Sequence, residues 1–289
     1  MKEIKIIKKN NKSYPKKLLK LKNPPEQLYL IGDESLLNKK SIAIIGSRDC
    51  TEYGYRQAVK FGKELSKHNI CIVSGMAVGI DSAGHIGAKD EVGKTIAILG
   101  GGFYNIFPKE NEKLFYEIIS LGGCIVSEYS PDMEPDSRNF PERNRIVSAL
   151  SDGVLVVEAR YRSGTSITAK CAKELGKKIY CIPTNLEETT GVGTGRLIQS
   201  GAKLVLTPED ILEDLGFNIE ETNENLEENN IEVDDQYQDI YKVLTRIPMN
   251  INDIVRKSEK SMIEVNSTLT MLELIGAVKQ VGVNEFVKV

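Results

Sequence analysis

Tryptophan is absent from this chain, and 289 residues hold only two histidines. With so little imidazole, and no HExxH, GxSxG or His/Cys cluster, neither metal-assisted hydrolysis nor serine acyl transfer finds its residues here. His85 is expected in the core or at a cap, and His68 as neutral decoration near a helix end. The five cysteines (50, 71, 124, 171, 181) form no CxxC pair, and three lie in apolar, strand-like runs. They read as buried reduced thiols rather than as zinc ligands or a redox pair. No apolar run reaches ~18 residues, and no charged-then-apolar leader opens the chain. The expectation is therefore a cytoplasmic protein without a membrane partner. Charge of one sign is lacking as well: 38 basic and 41 acidic groups leave a formal net charge of -3. Any anion-binding patch has to be local. A complete GxGxxG with its ribose-binding acid is missing, as is a Walker A GxxxxGK[ST], so no cofactor is expected.

What the chain does have is length for one sizeable core and a small second module, with 40% hydrophobic residues. Charge is unevenly spread. Residues 1–40 hold 11 Lys against 4 acids, while "NIEETNENLEENNIEVDD" (218–235) holds 8 acids and no base. That acidic stretch has too little apolar content to fold alone and reads as a linker. Four segments follow: a basic N-terminal extension packing on the core (1–40), a central domain (41–217), the linker (218–235) and a small C-terminal domain (236–289).

Seven short Ile/Val-rich runs punctuate the central domain: "SIAIIGS" (41–47), "ICIVSG" (70–75), "TIAILGG" (95–101), "GCIVSE" (123–128), "GVLVVEA" (153–159), "KIYCIP" (178–183) and "AKLVL" (202–206). None alternates polar with apolar, which predicts parallel strands buried on both faces. Helix-like segments at 53–68, 79–92, 110–122 and 166–176 lie between them. The pattern is α/β, a Rossmann-like, doubly wound, mainly parallel sheet.

Ligands of such sheets bind beyond the C-terminal ends of the strands. There the sequence places "GSR" (46–48), "SGMAVGID" (74–81), "GGGFYNIFP" (100–108), "SEYSP" (127–131), "EARYRSGTS" (158–166) and "PTN" (183–185). Small residues let backbone N–H groups approach an anion, and "SGTS" opens a helix whose N-terminus adds a favourable dipole. Arg143 and Arg145, from "FPERNR" (140–145), and Arg48 are expected near the same rim, where guanidinium forks suit phosphate. Blander readings stand beside this one: "GGG" as a tight turn, "RNR" as a solvated helix face. Glu128, Glu158 and Asp81 could instead serve as acid and base in a Rossmann-like nucleotide-processing enzyme that hydrolyses an N-glycosidic bond.

In combination, "FPERNRI", "VVEA" and "SGTSITA", with "IAIIGSR", "IVSGMAVGIDSAGH", "TIAILGGG" and "LIQSGAKLV", resemble the DprA/Smf DNA-processing proteins of bacteria from about Tyr14 to Asp214. The resemblance implies a non-enzymatic single-stranded DNA binder. Such a protein protects incoming DNA, usually forms a homodimer, and loads the RecA recombinase in natural transformation. Carried over by motif, the DNA pocket comprises Gly46, Ser47 and Arg48 in the first loop and Phe140, Arg143, Asn144 and Arg145 in "FPERNR". Ser163, Gly164, Thr165, Ser166 and Lys170 complete it, with Arg196 a weaker addition. Phe140 would be a stacking surface for a base. The chain departs from the family pattern at Val78, where Arg is common, at Thr184 and at Gly195, and it lacks the usual Pro between Arg48 and "YG". The loss at Val78 makes the pocket less basic and puts more weight on Arg48 and Lys170.

Segment 236–289 reads as three short helices and a Gly-turned hairpin, a winged-helix-like domain. Its third helix has apolar residues at Val265, Leu269, Leu272 and Ile275. That helix has almost no basic residues, so protein contact is expected of it rather than duplex reading.

Overall fold

The computed structural model describes residues 3–161, 163–185, 187–217, 233–245 and 248–288. Most of the acidic segment (218–232) and Arg162 lie outside the described residues. The chain divides into two compact units, 1–218 and 219–289.

The large unit is built on a nine-stranded sheet. Its strands are β1 (Lys5–Lys8), β2 (Gln27–Gly32), β3 (Ser41–Ile45), β4 (Cys71–Ser74), β5 (Thr95–Leu99), β6 (Cys124–Ser127), β7 (Gly153–Val156), β8 (Lys178–Cys181) and β9 (Lys203–Leu204). Their spatial order is β1-β2-β6-β5-β4-β3-β7-β8-β9. From β6 to β9 all pairings are parallel. Every residue of β3, β4, β5, β6 and β7 is buried, which is why their sequences show unbroken apolar runs. The helices are α1 (Glu52–Lys67), α2 (Ile80–Ala88), α3 (Glu112–Ser120), α4 (Asn139–Leu150), α5 (Gly164–Glu174), α6 (Val192–Gln199) and α7 (Glu209–Asp214).

Part of the segment 1–40 enters the sheet itself. β2 pairs antiparallel with β6, with Tyr29 opposite Ser127, and β1 pairs antiparallel with β2. Lys17 is anchored too, its Nζ 2.7 Å from Asp152 Oδ2. The chain starts its parallel strands at β3, runs outward to β6, then returns to lay β7 against the other side of β3. The point where strand order reverses therefore lies between β3 and β7, the place where this architecture opens a crevice.

Glu158 fixes the edge of that crevice. Ser47 N donates to its carbonyl (2.8 Å). Its carboxylate accepts from Thr51 N (2.9 Å) and from the Thr51 hydroxyl (2.5 Å). The same hydroxyl accepts from Gly54 N and caps α1, so a carboxylate sits over the positive end of that helix.

The small unit contains α8 (Gln238–Val243), β10 (Met249–Asn250), α9 (Ile251–Ser258), α10 (Met262–Leu274), β11 (Val278–Gly282) and β12 (Glu285–Lys288). Its three strands are antiparallel in the order β10-β12-β11. Ser261 and Glu264 form a reciprocal capping box at the start of α10. Val265, Leu269 and Leu272 are buried as their spacing predicts, but Ile275 is exposed. The helix ends at Leu274, so Ile275 falls on the cap, beyond the helical period. Three helices and a hairpin make the winged-helix arrangement.

Candidate functional site

A cavity of about 610 Å³ opens at the reversal point, bounded by the loops after β3, β4 and β7 and by the N-terminal ends of α4 and α5. Nine of the twelve residues expected at a binding pocket line it: Gly46, Ser47 and Arg48; Phe140, Arg143 and Asn144; Ser163, Gly164 and Thr165. Arg145, Ser166 and Lys170 do not.

Helical geometry explains how α4 sorts its residues. Phe140, Arg143, Asn144 and Val147 recur at i, i+3, i+4 and i+7, one face of a helix, and all four line the cavity. Arg145 lies two residues from Arg143 and hence about 200° around the axis. It points elsewhere, and its Nη2 donates to both oxygens of Glu128 (2.6 and 2.7 Å). Lys170 is exposed on α5, 3.9 Å from Glu174.

Arg143 is not a surface cation. It is only 4% exposed. Nη1 donates to the carbonyl oxygens of Gly75, at 2.5 Å, and of Ile98. These carbonyls stand just beyond the end of β4 and at the penultimate residue of β5, so one guanidinium ties two neighbouring strands together. Nε donates to Asn144 Oδ1 (3.2 Å), which leaves the amide Nδ2 of Asn144 as the free end of that side chain. Asp81 completes this floor by accepting from Gly75 N (3.1 Å). Gly75 is required here, because a Cβ would lie 2.7 Å from both Arg143 Nη2 and Asp81 Oδ2. Burial pulls the Arg143 pKa down to about 10, against the pull of Asp81, so the group stays charged at neutral pH. Burial also raises the Asp81 carboxyl, opposed by Arg143 and by donors at Ala77, Ser74 and Gly75.

Above the floor lies an exposed rim. Arg48 is solvent-exposed and rests over the Phe140 ring, 5.6 Å from its centroid. Asp49 accepts a hydrogen bond from Arg160 across the mouth. The Ser163 hydroxyl is buried without a protein partner, and Ser163 begins α5 with no side-chain cap. The first amides of that helix are left for another acceptor. Hydroxyl, amide donors and a guanidinium thus converge on one open cavity, the chemistry that receives a phosphate.

Among the lining residues that the sequence reading did not name as site residues are Asp49, Arg160 and Phe107. Each belongs to a strand-end loop, the available signal, but their convergence depends on pairing across the reversal point. Phe107 contacts Phe140, with ring centroids 5.5 Å apart.

The suspected carboxylates are all engaged: Glu128 by Arg145, Glu158 by Thr51, and Asp81 by Gly75. His85 is fully buried beneath the floor. The Thr95 hydroxyl donates to Ile72 O (2.7 Å), so it accepts from His85 Nδ1–H at 2.6 Å. Burial, followed by Arg143, lowers the His85 pKa to about 3 and keeps it neutral. All five cysteines are free, with Cys71, Cys124 and Cys181 buried. Among the described residues, no cluster of three metal-ligating side chains occurs, and no helix is long and apolar enough to cross a membrane.

Residues 5–216 match the family model described as DNA recombination-mediator protein A, and residues 224–282 match the DprA winged helix domain. Protein Smf of Escherichia coli (strain K12) is 36% identical, over 94% of this chain and 74% of its own length. The X-ray structure of DNA processing protein A from Streptococcus pneumoniae superposes with a TM-score of 0.69 at 36% identity, covering 73% of this chain and 74% of that one. For the Helicobacter pylori protein, whose structure is described for its single-stranded DNA binding mode, the TM-score is 0.67 at 32% identity. That match covers 74% of this chain and 96% of the other.

Proposed function

The chain belongs to the DNA recombination-mediator protein A (DprA/Smf) family, and from that premise we propose that it binds single-stranded DNA in this cavity without catalysis. In this reading it protects the incoming strand and delivers it to the RecA recombinase during natural transformation, as a cytoplasmic homodimer. The observation that carries it is the convergence of Arg48, Asn144, the unpartnered Ser163 hydroxyl and the open start of α5 on one cavity. The single-stranded DNA binding of the Helicobacter pylori relative supports it.

Arg48, Asn144 and the Ser163 hydroxyl are the side-chain phosphate donors, with the amides of Gly164 and Thr165 at the start of α5 beside them. Gly46 and Ser47 form the wall, because the Ser47 amide is taken by the Glu158 carbonyl. Ser166 and Lys170 stand further along α5 and extend phosphate contact beyond the cavity. Arg143 shapes the floor, and Arg145 acts at most through its pair with Glu128. Phosphate neutralisation makes affinity fall as salt rises.

Fluorescence anisotropy of labelled oligo-dT, with its duplex as control, at two salt concentrations tests the reading. Arg48→Ala is the informative variant, because Arg143→Ala would disturb the fold. Salt-sensitive binding to the single strand, weakened by Arg48→Ala, is the expected result; no binding at low salt overturns it. Release of free base from a nucleotide would favour the hydrolase instead.

A further inference from the structure

Phe107 ends the loop that leaves β5, and half of its surface (50%) is exposed. The loop around it is fastened: Gly102 N donates to Met133 O (2.9 Å) and Tyr104 N to Pro131 O (3.0 Å). Beyond it, the Asn111 amide donates to Met76 O (2.8 Å). The aromatic ring is thus held in place with half of its surface left in water, an exposure that gains the fold nothing.

Phe140, the residue that the family pattern puts forward for stacking, is hemmed in. A Cβ on Gly100 would come within 2.6 Å of its ring. The Arg48 guanidinium stands 5.6 Å from its centroid. Phe107 stands 5.5 Å away with ring planes tilted by 31°, within the range of an offset aromatic pair. The exposed aromatic of this pair is Phe107, and it lines the same cavity as the phosphate donors.

We propose that Phe107 is the platform on which a base of the bound strand stacks, and that Phe140 is the wedge that sets its angle. The proposal rests on the single-stranded DNA reading of the cavity and assigns the base contact within it. Phenylalanine offers neither donor nor acceptor, so the platform accepts any base, as a carrier of arbitrary sequence requires.

The test uses oligo-dT carrying one 2-aminopurine, whose fluorescence is quenched on stacking, alongside a strand of abasic phosphodiesters. Wild-type protein quenches the probe. Phe107→Ala loses the quench and binds oligo-dT about 10-fold more weakly; Phe107→Tyr restores both. On the abasic strand, wild type and Phe107→Ala bind equally. Melting temperatures stay unchanged, because the ring is not part of the core. Undiminished quenching and affinity in Phe107→Ala, with the quench lost in Phe140→Ala, overturns the assignment and leaves the DNA reading standing. If wild type binds no single strand at all, both fall together.

Discussion

Arg143 and Arg48 line one cavity, yet one is sealed in its floor and the other lies open on its rim. The floor consists of Arg143, Asp81 and Gly75, joined by hydrogen bonds that lock the ends of β4 and β5. The rim consists of Arg48, Asp49, Phe107 and Arg160, held by one exposed ion pair and by ring contacts. Arg143 Nη1 and Nε and the Gly75 amide have protein acceptors, so most of the floor's chemistry is spent on the fold. The rim keeps capacity for a ligand. Residue type alone does not separate the two; burial and partner do.

Mutation should separate stability from affinity along that line. Arg143→Met leaves two buried carbonyls without their donor and should cost about 3 kcal/mol. For a unit of this size that is a fall of roughly 10 °C in Tm, readable by thermal denaturation. A rise or no change in Tm would erase the distinction. His85, under the same floor, predicts a pH dependence of definite sign. Its folded pKa is about 3 and its unfolded value about 6.5, so the unfolded chain binds more protons between those limits. Stability is full above pH 6.5 and is lost as pH falls through the window, by about 2–3 kcal/mol at pH 4.5. His85→Gln should flatten that decline, as Tm measured at pH 7 and 4.5 would reveal.

Rim substitutions should leave Tm alone. Arg48→Ala is expected to weaken oligo-dT binding about 10-fold and reduce the salt slope by about one contact's worth. Asp49→Asn removes a carboxylate from the mouth and frees Arg160. Because an exposed pair is weak, affinity should rise only about 3-fold, and the gain should shrink with added salt. Smallest of all is the expected effect in the winged-helix unit. Among its described residues, Ile263, Leu274 and Val283 are the most exposed apolar side chains, and α10 carries two acids and no base. Ile263→Ser should leave single-strand affinity unchanged by anisotropy, and a clear loss would extend the interface to that unit.

Much of this arrangement was legible in the sequence where burial is complete. The seven apolar runs each became a strand. β3 to β7 lost their alternation because both faces are covered, while β8 and β9, toward the sheet edge, are partly or fully exposed. β1 and β2 were not legible: β1 buries only Ile7, and short, partly exposed antiparallel strands look like a Lys-rich extension. The motif "FPERNR" marked the right helix, but its two arginines could share a pocket only if the segment were not helical. Phe107 escaped because its exposure depends on loops fastened to residues 131 and 133, a long-range fact that no local period encodes. The Asp49–Arg160 pair is non-local in the same way.

Glu158 carries a consequence for time rather than for strength. Its main chain and side chain hold both ends of the turn 47–51, so the segment bearing Arg48 is already in place before any strand arrives. Little ordering remains to be done on encounter, and a pre-organised site loses little entropy in capture. Capture should then proceed at a rate set by diffusion and steering. Differences between wild type and rim variants should appear chiefly in how long the strand stays.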